Sequence, residues 1–160
     1  MSIAEECESL VARCRSLMLA TVDAHGEPWV SYAPFVRGSS REFYVFVSEL
    51  ARHTPNLRKH PTATVLIIED EAESAQIFAR RRVTFECDVD IIARNQADWD
   101  LIVDQFQETF GELIATLRSL ADFSLVRFAP RTAVFVKGFG QAYRLQGTHL
   151  DQAVHLRRID

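Results

Sequence analysis

The sequence has 160 residues, 48% of them apolar and 25% charged, the balance of one soluble globular domain with enough chain to bury a real core. A net charge of −4 excludes a chain built as a whole to coat nucleic acid or an anionic membrane, so any phosphate or carboxylate site is a local basic cluster. No apolar run reaches the roughly 18 residues that span a bilayer, the acidic Met1–Glu6 lacks the order of a secretion signal, and three cysteines do not make a disulfide framework; a reducing cytoplasm is the expected compartment.

Ile3 to Ser16 has the period of an amphipathic helix, with Ile3, Cys7, Leu10, Val11 and Cys14 on one face. Leu17–Val22 reads as a strand and Asp23–Gly26 as a hairpin turn. Trp29–Val36 returns, with Pro34 marking an edge or a bulge. Gly38–Arg41 turns into a third strand, Glu42–Val47. The next stretch, Ser48–Lys59, predicts about three turns of helix with Ser48 as N-cap. Pro61 ends it, and Thr62–Ile68 is the fourth strand. Glu69–Glu73 is an acidic turn, expected to face water rather than hold a cation.

Phe78 to Arg82 leads into a long strand. There Val83, Phe85, Cys87, Val89 and Ile91 alternate with Thr84, Glu86, Asp88 and Asp90, so one face is buried. Asn95 is the expected N-cap of a helix over Gln96–Phe110, whose apolar stripe is Trp99, Ile102, Val103, Phe106 and Phe110. Gly111 breaks it and Leu113–Leu120 is a second short helix. Phe123–Phe128 and Ala133–Val136 are strands about a turn at Pro130. Gln141–Leu145 is the last strand, and Thr148–Leu156 is expected to be a short helix. Strands joined mostly by tight turns, with helices inserted at few points, give a mainly β (α+β) antiparallel barrel. The βαβ alternation and glycine-rich loop of a dinucleotide fold are missing.

Two basic clusters stand out, Arg52/His53 and Arg80–Arg82. A helix starting at Ser48 offers backbone N–H groups, a hydroxyl and Arg52 one turn inside, a corner that suits an anion and phosphate in particular. The competing reading is a solvated basic helix face. If the chain is already extended at Arg80, then Arg80 and Arg82 share a face and clamp a phosphate or a propionate; otherwise they are surface arginines. The five histidines give no zinc pattern, and His155 is the accessible candidate for an axial haem ligand. No Gly-x-Ser-x-Gly frame surrounds a serine, and no side-chain set supplies redox chemistry, so a cofactor has to bring it.

The segments Val30-Ser-Tyr-Ala-Pro-Phe35, Ser48-x-x-Ala-Arg-His53 with Asn56-Leu57, Phe78-Ala-Arg-x-Arg-x-Thr-Phe85, Asp122-Phe123 and Phe135-Val-Lys-Gly-Phe-Gly-Gln-Ala-Tyr143 occur in this order. Together they resemble the HugZ/HutZ-type haem-utilisation family within the pyridoxamine-5′-phosphate-oxidase-like FMN-binding split barrels, over roughly residues 17 to 156. The resemblance implies one domain over 1–160, a six-stranded split β-barrel with peripheral helices, forming a homodimer with FMN or haem in the interface clefts. It implies cofactor contacts from Ser48, Arg52, His53, Asn56, Arg80, Arg82 and Asp122. Arg82 matches an arginine near haem propionates, and Asp122 an acidic residue that supports the ligand histidine across the interface. In haem-degrading members that ligand lies in a C-terminal tail beyond the position matching His155; no histidine of this sequence stands at that position, and His155 is the expected substitute. The activity implied is oxidative haem degradation. The alternatives are an FMN-dependent oxidoreductase and a cofactor-binding protein without turnover.

Overall fold

The computed structural model describes residues 1–157. Its N-terminal helix α1 (Ile3–Arg13) opens with reciprocal bonds: Ser2 Oγ accepts from the Glu5 amide, and the Glu5 carboxylate accepts from the Ser2 amide at 2.6 Å. The helix stops at Arg13 rather than Ser16 because Ser16 already belongs to the sheet. Strand β1 (Ser16–Val22) pairs with β2 (Pro28–Pro34), and β3 (Val36–Arg37) follows after Phe35. The turn between β1 and β2 is fixed by Asp23 Oδ1, which accepts from the amides of His25 and Glu27, and by Gly26 at φ +81°.

Strand β4 (Phe43–Ser48), helix α2 (His53–Lys59), β5 (Thr62–Ile68) and β6 (Arg82–Ile92) come next. Two single 3₁₀ turns, Glu71–Glu73 and Ile77–Ala79, bridge β5 and β6. Helices α3 (Ala97–Phe110) and α4 (Leu113–Arg118) precede β7 (Phe123–Gly138), β8 (Gln141–Gln146) and β9 (Gln152–His155). Every strand pairing is antiparallel, as the sequence predicts.

Pro130 does not end a strand. β7 runs through it as a 16-residue ribbon, and a bulge opposite Glu86/Cys87 absorbs the proline, which has no N–H for the ladder. The stretch expected as a C-terminal helix is instead a turn, with Leu150 at φ +52°, followed by strand β9.

The sheet runs β2–β1–β5–β6–β7–β4–β3, and β8 and β9 are carried on the free edge of the second half of β7. The ends of the path, β2 and β3, are one stretch of chain interrupted at Phe35. Counted so, six strands ring the core, and the ladder stays open at that interruption. Inside lie Leu17, Leu19, Phe43, Val65, Phe85 and Phe135, with the Phe43 and Phe85 ring centroids 4.9 Å apart. Burying each such side chain contributes about 1.5–3 kcal/mol. The other face of β4 is covered too: Tyr44 and Phe46 pack with Trp99, Val103 and Phe106 of α3 in a second cluster. β4 is buried on both faces because a layer of helix lies outside the barrel there.

Candidate functional site

The first candidate is the corner after β4. Ser48 is the last residue of that strand and pairs with Phe123, so the helix starts at His53, later than the sequence predicts. Ser48 Oγ does accept a backbone N–H, but from Leu50 within the turn, at 3.1 Å. Arg52 takes the N-cap position, and no side chain caps the helix. Its guanidinium stacks on Trp29 at 4.0 Å from the ring centroid and lies 3.9 Å from the Asp23 carboxylate.

His53 and Asn56 face inward and are buried. Asn56 donates from Nδ2 to Thr21 Oγ1 at 3.0 Å, which ties α2 to β1. Thr54 donates to the Ser48 carbonyl at 2.7 Å. The His53 Nε2 is buried without a partner among the described residues, and burial pushes its pKa below the ordinary 6.5. The helix N-terminus expected at Ser48 is therefore displaced to His53, and Ser48, Thr54 and Asn56 bond within the protein, while Arg52 stays more than half exposed. Asp122 is exposed next to this corner. Its carbonyl accepts the Glu49 amide at 2.7 Å, and its carboxylate makes no ion pair among the described residues.

The second candidate is the Arg80–Arg82 run. Arg80 lies outside the strand, so the alternation that was to align it with Arg82 has not begun. Its Nε donates to the Glu69 carbonyl at 2.7 Å and its Nη1 to Glu71 at 3.2 Å. The acidic turn is thus not merely solvated. Glu69 is buried, and its Oε1 accepts the Arg81 amide at 2.7 Å. Arg82 opens β6 opposite Ile68 and Val136, and donates to the Arg80 carbonyl at 2.9 Å.

Register places Arg82 on an extended outer face. Directly paired residues point to the same side of a sheet, and Tyr32, Met18, Leu66, Thr84, Val134 and Arg144 form one continuous row across six strands. In the row beside it Ile68, Arg82, Val136 and Ala142 are aligned. The opposite alternation on β1, Leu17 and Leu19, fills the barrel. The outer face is therefore apolar in its middle, with Tyr32 64% and Val30 67% exposed at one border. Towards the other border a cleft of about 460 Å³ is lined by Thr84, Glu86, Thr132, Val134, Arg144 and Gln146.

The structure does not bring Arg52 and Arg82 together within one chain. Arg52 packs on Trp29, which pairs with Thr21. The neighbouring residue Ala20 aligns through Thr64 with Glu86, four residues along β6 from Arg82. That separation is roughly 13 Å along the strands alone. His155 stands on β9, stacked on Tyr143 with centroids 4.8 Å apart, and its Nε2 is 2.7 Å from the Gly140 carbonyl oxygen. The outer-face residues Met18, Leu66 and Val134 were missed at the sequence level. The signal that reveals them is that β1 and β5 are apolar at both alternations, which marks a strand to be covered on both sides.

The family described as pyridoxamine 5′-phosphate oxidase matches residues 3–137. A haem oxygenase, HutZ of Vibrio cholerae, is 46% identical over 142 residues, covering 89% of this chain and 80% of that protein. A crystal structure of HutZ from Vibrio cholerae, there described as a haem storage protein, superposes with a TM-score of 0.76 at 40% identity, over 82% of this chain and 92% of that one. Campylobacter jejuni ChuZ superposes with a TM-score of 0.86 at 32% identity, over 96% of this chain and 62% of that one. With the fold, the strand register and these likenesses in agreement, the chain belongs to the HugZ/HutZ-type haem-utilisation branch of the pyridoxamine 5′-phosphate oxidase family.

Proposed function

We propose that this chain, as a single split-barrel domain over residues 1–160, binds haem as a cytoplasmic homodimer, with the outer sheet face forming one wall of the cleft. The observation that carries the reading is Arg82 beside the row of Tyr32, Met18, Leu66 and Val134. A flat apolar surface with one guanidinium at its border fits a planar ring that ends in carboxylates. The names of the relatives, a haem oxygenase and a haem storage protein, support the same ligand. Arg52 and Arg82 act on one ligand only where a second copy places its corner against the first copy's face, and the exposed Tyr32 and Val30 are the apolar surface such a copy covers.

Bound haem supplies the redox and oxygen chemistry. The chain's own groups do the rest. Arg82 orients a propionate through charge-assisted hydrogen bonds. Met18, Leu66 and Val134 exclude water from the ring. The exposed Asp122 carboxylate accepts the N–H of an imidazole and raises its basicity. His155 pairs with Tyr143 on the alternation opposite Arg82, so it serves as that imidazole only for haem on a second copy's face, after leaving the Gly140 carbonyl. Degradation follows binding where an external reductant and dioxygen are supplied; storage is binding without it.

A second reading, FMN with its phosphate at Arg52, draws on one observation. The Arg52 side chain is 57% exposed and its only carboxylate contact among the described residues is the long one to Asp23. Ser48, His53, Asn56 and Arg80 have lesser parts in either reading because their polar groups are already engaged or buried.

Titration with haemin and, separately, with FMN tests both. The expected result is a saturable Soret band that weakens about tenfold or more in Arg82→Gln and not in Arg52→Gln, with reductant and dioxygen then separating turnover from storage. A Soret band unchanged by His155→Ala removes that residue as ligand. Absence of any Soret change, together with tight FMN uptake that Arg52→Gln abolishes, replaces the haem reading by the flavin one.

A further inference from the structure

Away from the outer face lies a cavity of about 430 Å³ between the end of α1, the segment joining β5 to β6, and the end of β7. It is lined by Arg13, Arg81 and Lys137, by Glu69 and Glu73, and by Ser74 and Gln76. Three cations from distant parts of the sequence converge here, and they are engaged to very different degrees. Lys137 Nζ is held by Glu6 at 2.6 Å in a half-buried pair. Arg13 reaches Glu73 at 3.5 Å, with both side chains more than half exposed. Arg81 makes no ion pair and no side-chain hydrogen bond among the described residues.

Arg81 is nevertheless rigidly mounted. Its amide donates to Glu69 Oε1 at 2.7 Å, and its carbonyl accepts the Glu69 amide at 2.9 Å. This clasp uses a buried carboxylate. The Arg81 side chain lines the cavity together with Arg13 at the end of α1 and Lys137 at the end of β7. An arginine with an anchored backbone facing an open cavity, with a second arginine held by one loose exposed contact, is an incomplete anion clamp. Gln76 contributes as well: its Oε1 accepts the Phe78 amide, which leaves its NH₂ group as a further donor.

We propose that this cavity binds a compact oxyanion, of the phosphate or small-carboxylate type, between Arg81 and Arg13, with the anion displacing Glu73 from Arg13. Lys137 stays with Glu6 and adds its field rather than a contact. The site is independent of the haem reading, since none of its residues lies on the rows that carry Arg82.

The test is calorimetric titration of the ligand-free full chain with inorganic phosphate. Saturable binding is expected, weakened about tenfold or more in Arg81→Gln. It strengthens in Glu73→Gln, where Arg13 is freed, and is unchanged in Arg82→Gln and Arg52→Gln. The Glu73 variant alters an exposed side chain and keeps the test decisive should Arg81→Gln fold poorly. No saturable binding in the unaltered chain or in Glu73→Gln overturns the proposal. So does loss of binding in Arg82→Gln or Arg52→Gln with Arg81→Gln unaffected.

Discussion

The corner after β4 and the outer face of the sheet make opposite use of their polar groups. At the corner, Ser48, Thr54 and Asn56 bond to the protein's own backbone or Thr21, and Arg52 rests on Trp29 with one long contact to Asp23. On the outer face, apolar side chains remain half exposed, Tyr32 and Val30 more so, and among the described residues Arg82 meets only one backbone carbonyl. A basic, helix-starting stretch looks like the binding site in one dimension, yet most of its polar groups bond within the fold. The stretches that look like plain core strands carry the surface that is still unsatisfied. Basic residue types do not by themselves mark a site; what counts is whether their donors have already been used.

The largest effect that bears on this contrast is expected from Met18→Asp, which places a carboxylate in the middle of the apolar row. Dimer affinity is expected to fall about a hundredfold or more, and haem uptake with it, as read by sedimentation and Soret titration. A stable haem-binding dimer in this variant moves the interface elsewhere. Next comes Asn56→Leu, which leaves the buried Thr21 hydroxyl without its donor. Urea denaturation should show a loss of about 1–3 kcal/mol, with haem affinity of the folded protein unchanged. The reverse pattern, stability kept and haem affinity lost, returns the corner to the ligand.

The smallest effect is the pH response of His53. Burial lowers its folded-state pKa below the ordinary 6.5, so the unfolded chain takes up the proton first. Stability is full above that ordinary value and declines as pH falls below it, by at most about 1.4 kcal/mol per pH unit. Comparing urea midpoints at about pH 7.5 and about pH 5.5, the decline should be smaller in His53→Leu. An equal decline in both shows that His53 is not held neutral by burial.

Much of the frame was legible. The α1 face, the hairpin at Asp23–Gly26 and the alternation of β6 each follow from a period or a turn residue that admits one reading. Ser48 was misplaced for a physical reason: a serine that caps a helix and one that closes a turn at a strand end both accept a backbone N–H, and only the partner differs. Arg80 and Arg82 depend on where the strand begins, which their own side chains do not signal. Pro130 breaks the two-residue period whether the chain turns or bulges. The outer face needed the register, because pairing Met18 with Leu66 and Thr84 with Val134 is a tertiary fact.

One feature of the sheet sets the order in which the molecule is made. The 16-residue strand β7 is the shared neighbour of β4, β6 and β8. During synthesis, β4 and β6 leave the ribosome long before Phe123–Gly138 does, and each waits with an open edge and strongly apolar side chains. The nascent chain is therefore most exposed to sticking and to chaperones between those moments, and conditions that slow translation over α3 and α4 lengthen that hazard without touching the finished fold.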